Sequence, residues 1–131
     1  MVDSASTTVL VVDDEEGMRE VAAAILRRAG YNVIAVRSGF EAMEVLHDTP
    51  GIALLFTDIK MPGIDGFMLA DMAKVSRPAL KVIYATGFRD EVDTRPGVRH
   101  GAILDKPYSP DQLRREVTLA LTVQGRKAAK P

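Results

Sequence analysis

The stretch VLVVDDEEGMRE, Val9 to Glu20, runs four apolar residues, three of them β-branched, straight into four acidic ones, Asp13 to Glu16. So short an apolar run reads as a strand buried on both faces. A block of like charge at its end repels itself unless a cation joins it or the charges fan out into water. A buried strand that ends in acidic residues marks an α/β fold and the place of its chemistry.

Working outward, four more apolar segments recur after TVLVV (8–12): NVIAV (32–36), IALLFT (52–57), LKVIYA (80–85) and GAILD (101–105). A helical stretch follows each. Met18, Val21, Ala22, Ile25, Leu26 and Ala29 keep the spacing of one helical face, and Gly30 stops that helix. The second helix, 39–49, offers Phe40, Met43 and Leu46 and ends before Pro50. The third, 65–76, offers Phe67, Leu69, Ala70, Met72 and Ala73 and ends before Pro78. The last has Ser109 as N-cap, Pro110 at its first position and Gln112 three residues after the cap, then Leu113, Val117 and Leu121. Between 89 and 100, Pro96 and Gly97 predict a fourth helix that is short, broken or mobile.

Strands alternating with helices indicate an α/β domain with a parallel sheet covered on both faces. At 131 residues the chain is one domain, without need of disulfides. There are 17 Lys and Arg against 18 Asp and Glu, so no overall field favours nucleic acid or an anionic membrane. The absence of cysteine removes thiolate catalysis and Cys-ligated zinc. No run is long enough to span a bilayer, and the first residues lack signal-peptide character, which reads as a cytoplasmic protein.

Ligands of open parallel sheets bind beyond the carboxyl ends of the strands. Those ends hold Asp13 and Asp14, Asp58, Thr86 and Lys106, whereas Arg37 and Ser38 after the second strand receive no role. Hard carboxylate oxygens without His or Cys suit Mg²⁺, or Mn²⁺. Lys106 and Thr86 would hold phosphoryl oxygens, and Asp58, alone on its strand, is the nucleophile. Glu15 and Glu16 serve the helix start. His47 and His100 read as surface residues.

Together VVDDEEGMRE, TDIKMPGIDGF, YATGF and LDKPYSP resemble the receiver domain of two-component response regulators. The resemblance covers Thr8 to Val123. It implies a CheY-like, flavodoxin-like (βα)₅ fold, doubly wound around five parallel strands; outside it, 1–7 reads as a disordered N-terminus and the unpatterned 124–131 as a disordered basic tail. It also implies phosphorylation of Asp58 by a histidine kinase or histidine phosphotransfer domain, Mg²⁺ held by Asp13, Asp14, Asp58 and the backbone carbonyl of Lys60, and catalysis by Asp58, Lys106 and Thr86. Thr86 would be the switch hydroxyl, and Pro107 would follow a cis bond. The module would catalyse its own phosphotransfer and dephosphorylation without being an enzyme for other substrates. Lys60 and Phe88 lie where the family tunes hydrolysis.

Two positions depart from the family pattern, Ile103 and the Pro96-Gly97 break, the latter suggesting that 90–100 responds to phosphorylation by a change of order. Ile103 replaces an aromatic switch residue, which brings Tyr84 forward as a switch candidate, although core packing is its commoner use. The run YATGF is similar to the signature of single-domain FATGUY regulators, with Arg89 in place of an aromatic. A haloacid-dehalogenase-type phosphatase would have an aspartate where Lys60 stands. The remaining alternatives are an interaction domain that is not phosphorylated, a phosphate shuttle or sink, and a receiver excised from a hybrid kinase. A downstream protein would dock on the face formed by 90–105 and 109–121, the chain itself being a monomer or weak dimer with neither nucleic acid nor membrane as partner.

Overall fold

The computed structural model describes residues 7–129. Five parallel strands form one sheet: β1 (Thr8–Val12), β2 (Asn32–Val36), β3 (Ile52–Asp58), β4 (Lys81–Thr86) and β5 (Ile103–Asp105), in the order β2-β1-β3-β4-β5. They alternate with α1 (Glu16–Arg28), α2 (Gly39–Asp48), α3 (Gly66–Ser76), α4 (Arg89–Asp93) and α5 (Pro110–Ala129). The expected doubly wound (βα)₅ architecture is therefore present.

Because side chains alternate along a strand, each inner strand feeds two cores. Leu10, Val12, Leu55, Val82 and Tyr84 pack with Ala42, Leu46, Leu69, Ala73 and Val92, which places α2, α3 and α4 on one face. Val9, Val11, Leu54, Phe56 and Ile83 pack with Ala22, Leu26, Leu113 and Val117, which places α1 and α5 on the other. β2 was read as buried on both faces, yet its residues are only half-buried and Asn32 is exposed. It is an edge strand, covered by a neighbour on one side alone.

Helix starts follow local chemistry. Ser38 accepts the Glu41 N–H, Asp65 accepts the Met68 N–H, and Ser109 and Gln112 cap each other reciprocally, Gln112 N–H to Ser109 Oγ and Ser109 N–H to Gln112 Oε1. Ser38 thus has a capping role. Gly30 follows α1 in the left-handed region, at φ 100°. α4 has five residues, as the Pro96-Gly97 break implies.

Three helix faces differ from expectation. Val21, Phe40 and Met72 are exposed, Phe40 by 62%, because each lies at the margin of its apolar stripe. Ala23 and Ala42 are buried in their stead, their small side chains bringing the helices close to the sheet. α5 also passes the boundary set at residue 123 and continues to Ala129. Adding a residue to an existing helix is far less costly than starting one, and Arg126, Lys127, Ala128 and Ala129 are good helix formers. Thr7, assigned to the disordered start, accepts the Asn32 N–H at 2.9 Å. Residues 1–6 and 130–131 lie outside the described residues. Among the described residues no helix is long and apolar enough to cross a membrane.

Candidate functional site

Backbone hydrogen bonds fix the carboxyl ends of the strands. Asp13 N–H donates to Val36 O at 3.2 Å, Ile59 N–H to Ala85 O at 2.9 Å, and Lys106 N–H to Thr86 O at 2.8 Å. Side chains at or just beyond the ends of β1, β3 and β5 therefore project from a common rim.

On that rim Asp13, Asp14 and Asp58 converge, one oxygen from each lying within 4.8 Å of the others. Asp13 and Asp58 are buried and Asp14 is exposed. Lys106 Nζ lies 3.0 Å from Asp13 Oδ2 and 3.3 Å from Asp58 Oδ1. One ammonium thus faces two buried carboxylates and a third close by. Glu15 N–H donates to Asp13 Oδ1, and Ile59 N–H to Asp58 Oδ1. Arg19 donates to the Asp13 carbonyl, which ties the rim to the first turns of α1.

This surplus of negative charge appears in the titration of the groups. Burial pushes the Asp58 carboxyl up to about 6; Lys106 opposes the rise, and the neighbouring Asp13 and Asp14 charges add to it. Burial alone would lower the Lys106 ammonium, but its hydrogen bond to Asp13 and the charges of Asp58 and Asp13 outweigh that and hold it above its ordinary value. The donor set consists of hard oxygens, and its charge is incompletely neutralised by protein. It fits a divalent cation such as Mg²⁺, which takes one or two carboxylates and keeps several waters.

Thr86 ends β4 almost fully buried, and its Oγ accepts the Phe88 N–H at 2.9 Å, leaving the hydroxyl proton free to donate. A hollow of about 200 Å³ beside it is lined by Ile59, Lys60, Thr86, Phe88 and Glu91. The side chain of Lys60 turns outward, over the Phe88 ring at 4.3 Å and to Glu91 at 3.3 Å. The Lys106–Pro107 peptide is cis.

Tyr84 belongs to the core. It is fully buried, its ring lies 4.9 Å from that of Phe67, and its hydroxyl accepts the His100 N–H at 3.1 Å. Ile103 is its register partner on β5. His100, read as a surface residue, is half-buried, its Nε2 lying 2.8 Å from Asp71 on α3. His47 is exposed beside Asp48, as expected.

Two further residues gained their roles, one beside the rim and one at α4, only from the structure. Gly66 starts α3 hard against β3: a Cβ there would lie 2.4 Å from the Asp58 carbonyl oxygen, and Gly66 N–H donates to Ile59 O. Arg89 closes α4 onto β5, its Nε donating to Asp105 at 2.8 Å and its Nη2 to the Ile103 carbonyl at 2.9 Å. Neither is signalled by local sequence, because both depend on how close distant segments come.

Comparison with known proteins agrees with this geometry. Residues 9–118 match the family model of the response regulator receiver domain. The response regulator receiver protein CpdR of Brucella abortus is 36% identical over 112 residues, covering 83% of this chain and 92% of CpdR. The sensor kinase CckA of the same organism is 33% identical over 113 residues, covering 84% of this chain but 12% of the kinase, so the chain spans a small part of that relative. Among solved structures, a response regulator receiver protein from Sinorhizobium medicae superposes with a TM-score of 0.80 at 30% identity, over 91% of this chain and 97% of that one. With the acidic rim, the sheet order and these likenesses in agreement, the chain belongs to the response regulator receiver domains, the CheY-like signalling modules of two-component systems that work with histidine kinases and phosphotransfer proteins.

Proposed function

We propose that Asp58 is the phosphoacceptor and that Asp13, Asp14, Lys106 and Thr86 serve its reaction. The observation that carries this reading is the position of Lys106, whose single ammonium lies against both Asp13 and Asp58 at the edge of the three-carboxylate cluster. An Asp58 oxygen attacks the phosphorus of a phosphohistidine in line. The P–N bond breaks, its electron pair stays on the imidazole nitrogen, and that nitrogen takes up a proton. The product is an aspartyl phosphate, which water then hydrolyses. Lys106 pairs with a phosphoryl oxygen as Asp58 loses its negative charge, and the Thr86 proton is available to another. Asp13, Asp14, Asp58 and the Lys60 carbonyl would hold Mg²⁺, which when bound neutralises charge on the phosphoryl group.

The donor is a histidine kinase or histidine phosphotransfer domain, in the cytoplasm. The signal leaves through a protein partner at the 90–105 and 109–121 face, where α4 and the loop after it rest on exposed ion pairs. Phosphatase turnover of other substrates is not part of this reading, since Lys60 stands where such an enzyme needs a second aspartate.

Incubation with acetyl phosphate and Mg²⁺, followed by intact mass, tests the assignment. Wild type gains one phosphoryl group and Asp58→Asn gains none. An unmodified wild type, or equal labelling of the variant, removes Asp58 from the role.

A further inference from the structure

Among the described residues, one buried side-chain polar atom has no hydrogen-bond partner: the hydroxyl of Tyr108. Its ring is held edge-on against Phe56 of β3, the centroids 5.7 Å apart and the planes at 73°. Phe56 and Asp58 are two residues apart on the same strand and so face the same side of the sheet, the side on which Val9 and Val11 lead up to Asp13. Tyr108 itself follows Lys106 by two residues. The phenol is thus packed beneath the acidic rim. Burial pushes its pKa well above the ordinary phenol value, and the charges of Asp13 and Asp58 push it further, so it keeps its proton at any working pH.

Phenylalanine would serve the packing equally well, and an enclosed hydroxyl without a partner is destabilising. No protein acceptor among the described residues meets it. Asp13 Oδ2 and Asp58 Oδ1 receive Lys106, Asp13 Oδ1 receives Glu15 N–H, and Asp58 Oδ1 also receives Ile59 N–H. A donor kept in such a place suits an acceptor that arrives with a ligand.

We propose that Tyr108 is a positioning residue of the cation site, its hydroxyl donating to a water of the hydrated divalent ion that Asp13, Asp14 and Asp58 hold. This rests on the reading of the acidic rim as a metal site. Magnesium keeps several of its waters when bound by few carboxylates, and groups that orient such outer partners tune affinity. Tyr108 touches neither the attacking oxygen nor the phosphoryl group in this scheme.

The test uses the full chain, Mg²⁺ alone as probe, and Tyr108→Phe, which removes one oxygen. In EDTA the variant should melt at or above the wild-type temperature, since the hydroxyl has no protein partner to lose. Its Mg²⁺ dissociation constant, from titration followed by NMR or melting temperature, should be about three- to tenfold weaker, the worth of one hydrogen bond. Equal Mg²⁺ affinity overturns the role and leaves Tyr108 as packing. A variant that melts below wild type in EDTA overturns it too, because the hydroxyl would already have a protein partner. If wild type itself shows no response to Mg²⁺, the metal site fails and the role of Tyr108 with it.

Discussion

The acidic rim and the α4 segment sit on neighbouring strands and are held in opposite ways. At the rim, backbone hydrogen bonds between strand ends place Asp13, Asp58 and Lys106, and the two carboxylates are buried. Around α4, a five-residue helix and the loop after it are pinned by side chains on the surface: Lys60 to Glu91, Arg89 to Asp105, Arg99 to Asp93 and Arg95 to Asp65. Buried like charge has a large energy that any cation, proton or phosphoryl group changes. Exposed ion pairs are each worth little, so the segment they hold can rearrange at small cost. A receiver needs both: a stiff site where a bond forms and a loosely held surface that responds.

The comparison is broken most severely at Gly66. Gly66→Ala puts a Cβ onto the Asp58 carbonyl and the Ile59 backbone, which cannot swing away as a side chain would. A loss of about 3 kcal/mol in chemical denaturation is expected, with amide shifts at Asp58 and Ile59. An alanine variant of unchanged stability would mean that α3 is not locked to the rim.

Next in size is the cation. At one hundred times its dissociation constant Mg²⁺ should stabilise wild type by about 2.7 kcal/mol, read as a higher melting temperature, and much less in Asp58→Asn. A smaller effect is expected from pH. The Asp58 carboxyl is raised from 3.8 to about 6, so the folded chain holds a proton that the unfolded chain has released. The associated stability is present below about pH 4 and lost as pH rises through about 6 in EDTA. Asp58→Asn should lack this fall.

The smallest effect belongs to the surface. Arg89→Ala removes an exposed pair and one hydrogen bond to a carbonyl, and should cost at most about 1 kcal/mol. Its signature is faster hydrogen exchange at 87–95 with unchanged exchange at Asp13 and Asp58. Protection lost at the rim would show that the two regions are one stiff unit.

Much of this was legible in the residues. Short apolar runs marked four strands closely and placed the fifth, although β5 begins at Ile103 rather than at 101. Caps at Ser109 and the stop at Gly30 were readable because they depend on neighbours in the chain. Phe40 and Val21 misled because apolar periodicity gives a stripe, not its edges. His100 could not be placed, since Asp71 and the Tyr84 hydroxyl, which engage it, are far away in sequence.

Which residue types end each strand, and hence the oxygen-rich character of the rim, could be read along the chain. That Lys106 lies between Asp13 and Asp58, that Gly66 must lack a side chain, and that the Tyr108 hydroxyl is enclosed without an acceptor among the described residues emerge only from the assembled fold. Local order is written in neighbouring residues through hydrogen bonds a few positions apart. Charge coupling and close packing depend instead on distances between segments that meet only when the sheet is assembled.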